Sequence, residues 1–250
     1  MLKRTIKTVL PTSTVQWLRR SRAERANRRI AKLPPSEAFD LIYQNGWWGD
    51  VDRASGHGSF GIWADAFVGI ILKLVEEHGL RRVVDVGCGD FNVGRRIAPH
   101  VDSYLGLDVS RVIVERNRRD FEKVQNVTFE TFDLIEKRPP PADLVLVRQV
   151  LQHLTNRQVE AALDNLEASE ARWIIVAEDV VNGPRNASPN TDLPHISVST
   201  RSNFGSGVLL NQPPFSRPAE LIASVAEDRE NGAGPELVVH RLLPKAQRLS

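Results

Sequence analysis

The stretch Arg82-Val83-Val84-Asp85-Val86-Gly87-Cys88-Gly89-Asp90-Phe91-Asn92 decides the fold. Val83, Val84 and Val86 form a short β-branched run that reads as a strand. It breaks at Gly87 and Gly89 into a tight turn, and a helix is predicted over 93–99. Glycine lets backbone approach a ligand closely, and α/β sheets bind ligands at the carboxyl ends of their parallel strands. Outward from this point the pattern repeats. Strands are predicted over Ser103–Leu107, Val127–Thr131, Asp143–Val147 and Trp173–Ala177, with helices over Arg111–Glu122 and Arg157–Ser169 between them. Such alternation implies right-handed crossovers and an α/β, doubly wound, mostly parallel sheet. Upstream, Ile62–His78 carries Phe67, Ile70, Ile71 and Leu74 at helical spacing. Downstream of Glu178 the alternation lapses for about three dozen residues, and a loop that long in a compact domain is expected to be functional. A helix near Ala219–Ala226 and a strand near Leu237–Leu243 are predicted to follow.

The 250 residues, 41% of them hydrophobic, suit one large domain plus an extension. A lone Cys88 excludes an internal disulfide framework and a multi-cysteine zinc site, and no metal is expected. It fits a reducing cytoplasm. Apolar runs such as Phe67–Val75 fall short of the roughly 20 residues that span a bilayer. The chain therefore reads as soluble or peripheral. Met1-Leu2-Lys3-Arg4 opens like a signal peptide, but Lys7, Pro11 and Thr12 interrupt any apolar segment, so secretion is not expected.

The net charge of +2 hides an asymmetry: residues 1–32 hold ten Lys or Arg against the single acid Glu24. The rest of the chain is net acidic. Pro34-Pro35 closes the basic segment, giving a boundary between an N-terminal basic helical extension over 1–34 and a domain over 35–250. Ser36 is expected to cap a short helix through Tyr43. Val15, Trp17, Leu18 and Ile30 lie among the arginines of the arm, a composition open to three readings: binding of anionic lipid, binding of nucleic acid, or a solvated helix.

Asp85-x-Gly87-x-Gly89 resembles motif I of class I (Rossmann-like) methyltransferases, which use S-adenosylmethionine and have a seven-stranded sheet. In that family the acid meets the cationic methionine end of the cofactor. A dinucleotide fingerprint would place a third glycine where this chain has Asn92, which speaks against NAD. Asp108, nineteen residues after Gly89 and followed by Val109, ends the second strand, where a carboxylate can accept from both ribose hydroxyls. Phe132-Asp133-Leu134 resembles the family's adenine position, with Asp133 accepting from the exocyclic amine and Leu134 packing on the ring. Asp143 to Leu154 resembles motif IV, whose strand end borders cofactor and acceptor. A tighter resemblance, over roughly 40–245, is to bacterial methyltransferases associated with surface glycans or small metabolites. It rests on Trp48-Gly49, Ser55-Gly56-His57-Gly58-Ser59, Cys88-Gly89-Asp90-Phe91-Asn92 and Asn211-Gln212-Pro213-Pro214-Phe215. This chain departs from them at Gln149, where an Asp is usual, and at Gly207-Val208, where a Trp-Arg pair is usual.

The resemblance implies transfer of a methyl group to a small molecule or glycan intermediate, and we expect oxygen to receive it. His153, just past the fourth strand, is the expected general base, because an imidazole with a pKa near 6.5 suits proton removal at neutral pH. Arg148 is expected to meet an anionic group of cofactor or acceptor, or to form a structural ion pair. Ser55–Ser59 suits closure over the cofactor's carboxylate. Trp48, His57, Asp192 and Phe215 are expected to touch the acceptor, with Trp47, Asp179 and His195 as further candidates. Nucleic acid is not the expected acceptor, since the domain itself is acidic and no Asn/Asp-Pro-Pro-Tyr/Phe motif follows Val147. The rival readings are a non-catalytic cofactor-fold protein docked by its basic arm and an NAD-dependent oxidoreductase. The expected location is the cytoplasm, with peripheral contact at the inner face of the membrane through residues 1–32.

Overall fold

The computed structural model describes residues 12–49, 54–226 and 234–247. Its centre is a seven-stranded sheet in the order β3-β2-β1-β4-β5-β7-β6. The strands are β1 Arg82–Val86, β2 Ser103–Asp108, β3 Val127–Thr131, β4 Leu144–Arg148, β5 Trp173–Val181, β6 Ala219–Ala226 and β7 Pro235–Leu242. The first five are parallel, and β7 runs antiparallel to both β5 and β6. The helices are α1 Thr12–Ile30, α2 Pro35–Gln44, α3 Gly61–His78, α4 Gly94–Ile97, α5 Arg111–Asp120 and α6 Asn156–Glu167.

Successive side chains of a strand face opposite ways, so the apolar runs of β1, β4 and β5 feed two cores at once. Val84, Val86, Val145, Val147, Ile174 and Val176 pack with Phe39 and Ile42 of α2 and with Val159, Leu163 and Leu166 of α6. Val83, Leu144, Leu146 and Ile175 face Phe67, Ile71 and Leu74 of α3 on the other side. Helix α6 starts with a capping box, in which Gln158 N donates to Thr155 Oγ1 and the Gln158 side chain accepts from Thr155 N.

Two sequence expectations fail here. Ala219–Ala226 is strand β6, because pairing with β7 along its length outweighs the helix propensity of Ala, Glu and Leu. Ser36 lies inside α2, with Pro34 at the cap and Pro35 in the first turn; no side chain caps that helix. The predicted helix over 93–99 is shorter, giving way to a 3-10 turn at Ala98–His100, and β5 runs four residues past the predicted Ala177, to Val181.

The segment from 182 to 218, without a long regular element, is held by buried polar side chains. The Asn190 amide donates to the carbonyls of Leu209, Gln212 and Pro213, and its oxygen accepts from Leu209 N. Arg201, fully buried, donates to Asn156 Oδ1, Thr191 O and Leu154 O at 2.6–2.7 Å. Asp192 accepts from Asn156 N at 2.6 Å, at the start of α6. The last turns of α1 also join the body: Ala26 and Ile30 are buried, and Asn27 Oδ1 accepts from Val198 N at 2.9 Å. Replacing Arg201 with Met keeps volume but leaves three acceptors, the buried Leu154 carbonyl among them, without their donor. Urea denaturation of R201M should show a loss of about 3 kcal/mol, and an unchanged midpoint would mean that Arg201 does not hold this segment.

Candidate active site

Strand order reverses between β1 and β4, opening a crevice beyond their carboxyl ends, the usual ligand position in such sheets. Gly87 and Gly89 turn the chain there with φ of 78° and 54°, a left-handed conformation that favours glycine. Contact demands glycine as well. A Cβ on Gly87 would sit 2.2 Å from Val150 Cγ2, and one on Gly89 would sit 2.2 Å from Ser55 Oγ. The Gly87 and Cys88 amides donate to Leu107 O, which binds the turn to β2.

Asp108 fastens this turn to the next one: Gly89 N donates to its Oδ2 at 3.1 Å and Ser110 N to its Oδ1 at 2.9 Å. Each oxygen keeps a further lone pair for a ligand. Asp85 accepts from the Tyr104 hydroxyl at 2.7 Å. Burial pushes both carboxyls up to about 6, against the opposing pull of those hydrogen bonds and, at Asp85, of the Arg148 charge.

A small cavity of ~80 Å³ lies beside Asp108, between Pro35 and Phe39 of α2 and Val109, Asp133, Leu134 and Ile135. It has the makings of a slot for a flat ring with a hydrogen-bonding edge. Asp133 is half-committed, since its Oδ1 accepts from Ile135 N at 2.9 Å. A larger cavity of ~420 Å³ opens on the other side of Gly87, and Tyr43, Trp48, Gly87, Gln149 and His153 line both.

The larger cavity has three walls. Ser55, Gly56, Gly58 and Ser59 form one, locked on the glycine turn by reciprocal bonds: Ser55 N donates to Asp90 Oδ2, and Asp90 N to Ser55 Oγ. The end of β4 supplies Arg148, which donates to Gly58 O and lies 5.5 Å from the Phe67 ring, and Gln149, whose amide donates to Asp179 Oδ1 at 2.7 Å. Val198, Thr200, Ser202 and Asn203 form the third wall, so the long segment does contribute to the site.

Among the residues expected to bind cofactor, Asp85, Gly87, Gly89 and Arg148 line the larger cavity, and Gly87, Asp108, Val109, Asp133 and Leu134 the smaller. Of those expected at the acceptor, Trp47, Trp48 and Asp179 line the larger cavity. Asp192 and Phe215 line neither: the first holds the start of α6, and the second is buried in the core with Val208 and Leu210. His195 also lies outside both cavities, its Nδ1 bonded to Ile196 O. The side chain of His57 falls outside the described residues. His153 borders both cavities, but burial holds its imidazole down at about 4 and not near 6.5, and its Nδ1 lies 2.9 Å from Ser197 O. A carbonyl only accepts, so Nδ1 carries the proton and Nε2 is left as an acceptor. Sequence reasoning missed Tyr43, Asp90, Gln152, Trp63 and Phe67 in the lining and the buried Glu178 beneath it. For Tyr43 a signal existed, since Phe39 and Tyr43 are four residues apart on the predicted helix.

Residues 84–169 match the family model described as a methyltransferase domain. Over that span the chain carries a methyltransferase domain that takes S-adenosylmethionine, and its sheet has the Rossmann-like fold of class I methyltransferases. Solved structures share its fold. The N-methyltransferase NodS from Bradyrhizobium japonicum WM9, in complex with S-adenosyl-L-homocysteine, is 14% identical with a TM-score of 0.54, over 81% of this chain and 99% of that one. Magnesium protoporphyrin IX methyltransferase from Synechocystis PCC 6803, with bound S-adenosylmethionine, is 17% identical with a TM-score of 0.52, over 83% of this chain and 94% of that one. The CurJ carbon methyltransferase is 13% identical with a TM-score of 0.52, over 94% of this chain and 72% of that one. No curated protein matches the chain. The methyltransferase's own residues fit S-adenosylmethionine, which supplies an electrophilic methyl on a sulfonium: blocked left-handed glycines leave room for it, and buried Asp85 and Asp108 offer acceptors and negative charge.

Replacing Asp108 with Ala removes the buried acceptor in the smaller cavity and the tie between two turns. Calorimetric titration of S-adenosylmethionine should show at least a tenfold weaker Kd for D108A, about 1.4 kcal/mol; equal affinity would remove Asp108 from the site. Proton linkage gives a second expectation. Raised folded pKa values at Asp85 and Asp108 contribute stability below about pH 4 that is lost as pH rises through about 6. Buried His153 and His240, both held near 4, work the other way: their contribution is present above about 6.5 and lost as pH falls through 4. The two effects blur each other in stability, so affinity is the better readout. A cationic cofactor favours the ionised carboxylates, and its affinity should fall by up to tenfold per carboxylate for each pH unit below 6, with proton release on binding near pH 6. A flat affinity profile between pH 5 and 7 would contradict this assignment.

Proposed function

We propose that this methyltransferase acts on an oxygen of a small, polar acceptor such as a glycan intermediate, seated in the ~420 Å³ cavity. The observation that carries the reading is the composition of the cavity wall. Gln149, Asp179, Thr200, Ser202 and Asn203 supply amide, carboxylate and hydroxyl groups, while Trp47 and Trp63 supply flat apolar faces. That combination suits a ring bearing several hydroxyls, whose edges need hydrogen-bond partners and whose faces stack on aromatics. Methyl transfer needs in-line approach to the sulfonium, so the residues of this wall act mainly by holding the nucleophile in line.

His153 takes the proton in this reading. Its Nδ1–H is anchored on Ser197 O and its ring packs at 4.7 Å from that of Trp48; burial keeps it neutral but weakly basic, so it takes the proton as the methyl transfers and not before. The fold itself does not select oxygen, because the structures that share it include an N-methyltransferase and a carbon methyltransferase.

The test is release of S-adenosylhomocysteine with panels of polyhydroxylated sugars, carboxylic acids and amines of similar size. Hydroxylated acceptors should give the highest kcat/KM, and H153N should lower kcat by ~10²-fold while leaving cofactor Kd unchanged. Turnover confined to amines, or full activity in H153N, would overturn the oxygen assignment or the role of His153 respectively.

A further inference from the structure

Helix α1 and the turn after it carry a cluster of exposed cations, with Glu24 as the one acid among them, on a segment bonded to a wall of the larger cavity. Arg22, Arg25, Arg28, Arg29 and Lys32 are exposed, and none forms an ion pair among the described residues. Ala26 and Ile30 of the same helix are buried against the body. At 3.6 residues per turn Arg22 continues the row of Ala26 and Ile30, Arg25 and Arg29 flank that row, and Arg28 lies opposite it.

The helix is tied directly to the cavity wall. Val198 and Trp47 both line the cavity; Val198 N donates to Asn27 Oδ1, and the Arg29 guanidinium lies 5.4 Å from the Trp47 ring. Two of the few large apolar side chains that are exposed are chain neighbours of residues lining the same cavity. Phe204, 60% exposed, follows Asn203, and Ile62, 49% exposed, precedes Trp63.

We propose that this edge docks on an anionic phospholipid surface, so that the cavity opens toward the membrane. The inference goes beyond methyl transfer and does not depend on the acceptor chosen above. Lysine and arginine beside a bilayer gain from the negative potential of acidic headgroups, and single apolar side chains between them insert at the headgroup boundary. A nucleic acid would use the same cations and could stack a base on Phe204, but it offers no apolar layer for Ile62. Outside residues 1–32 the chain holds more acids than bases. A flat surface meeting only this edge avoids that repulsion.

The experiment is vesicle flotation of the full chain with phosphatidylcholine alone and with an equal mixture of phosphatidylcholine and phosphatidylglycerol. Duplex DNA and single-stranded RNA are tested separately. Wild type should float only with the anionic vesicles, and rising salt should release it. R22E/R25E/R28E should weaken binding by more than about tenfold, and F204D should weaken it at unchanged S-adenosylmethionine affinity, which verifies that the variants are folded. Wild type that stays in solution, or that binds DNA or RNA and ignores vesicles, would overturn the proposal. So would a folded triple variant that still floats. Cofactor titration is read independently, so loss of docking and loss of the methyltransferase reading are distinguishable.

Discussion

The site depends on how the chain leaves β4, and a single buried carboxylate sets that path. β4 and β5 pair in parallel as far as Arg148 and Ala177, so Glu178 is the first residue of β5 with no strand partner on that side. Its carboxylate takes the place of the missing strand. Glu178 Oε1 accepts from Val150 N and Leu151 N, and Oε2 from Gln152 N, at 2.8–3.1 Å. Three amides that would otherwise be buried without acceptors are thereby satisfied. Gln149 enters this turn with a φ of 56°, and its amide still bonds to Ala177 O. The turn then sets Val150 against Gly87 and brings Gln149, Gln152 and His153 to the cavity. Burial pushes the Glu178 carboxyl up to about 8 despite its three donors. A strongly desolvated group is therefore spent on geometry and not on chemistry.

This arrangement explains what the sequence could and could not reveal. Parallel strands are buried on both faces, so β1, β4 and β5 announce themselves as near-continuous apolar runs. Gly87, Gly89, Asp85 and Asp108 were legible for the same reason: each sits at a strand end, where local sequence fixes its place. Glu178 was not legible, because its role is set by amides 26 to 28 residues earlier in the chain. The same holds for Asp90, whose partner Ser55 is 35 residues away. Ala219–Ala226 misled because a local preference for helix lost to pairing along an edge. Asp192 and Phe215 misled differently: the long segment does reach the cavity, but through 198–203, and sequence order does not say which part of a loop turns inward.

Charge is organised in two zones. Inside, Asp85, Asp90 and Asp179 line the larger cavity with Arg148 as the one cation among the described lining residues, and Asp108 lines the smaller. Such an interior is costly to ionise until a cation arrives, which is why the carboxyls of Asp85 and Asp108 rise when burial acts on them. Outside, α1 presents the opposite sign. An acidic interior attracts the cofactor's sulfonium and ammonium groups, while the basic helix keeps its charge outside the cavities.

The two zones meet at Ser197-Val198. Ser197 N donates to His153 O, and Ser197 O faces His153 Nδ1. Val198 N donates to Asn27 of α1, and Val198 O accepts from Trp48 Nε1 at 2.8 Å. Two residues thus join the basic helix, the aromatic wall and the imidazole through four hydrogen bonds, each worth about 1 kcal/mol net. Both cavities and the basic helix share this one strip of backbone. A shift of α1 cannot occur without breaking the bond to Val198 or moving the strip that positions His153. Physical continuity of this kind couples the outer surface to the site through contacts that both must keep. It also gives the basic segment a structural reason to fold against the domain.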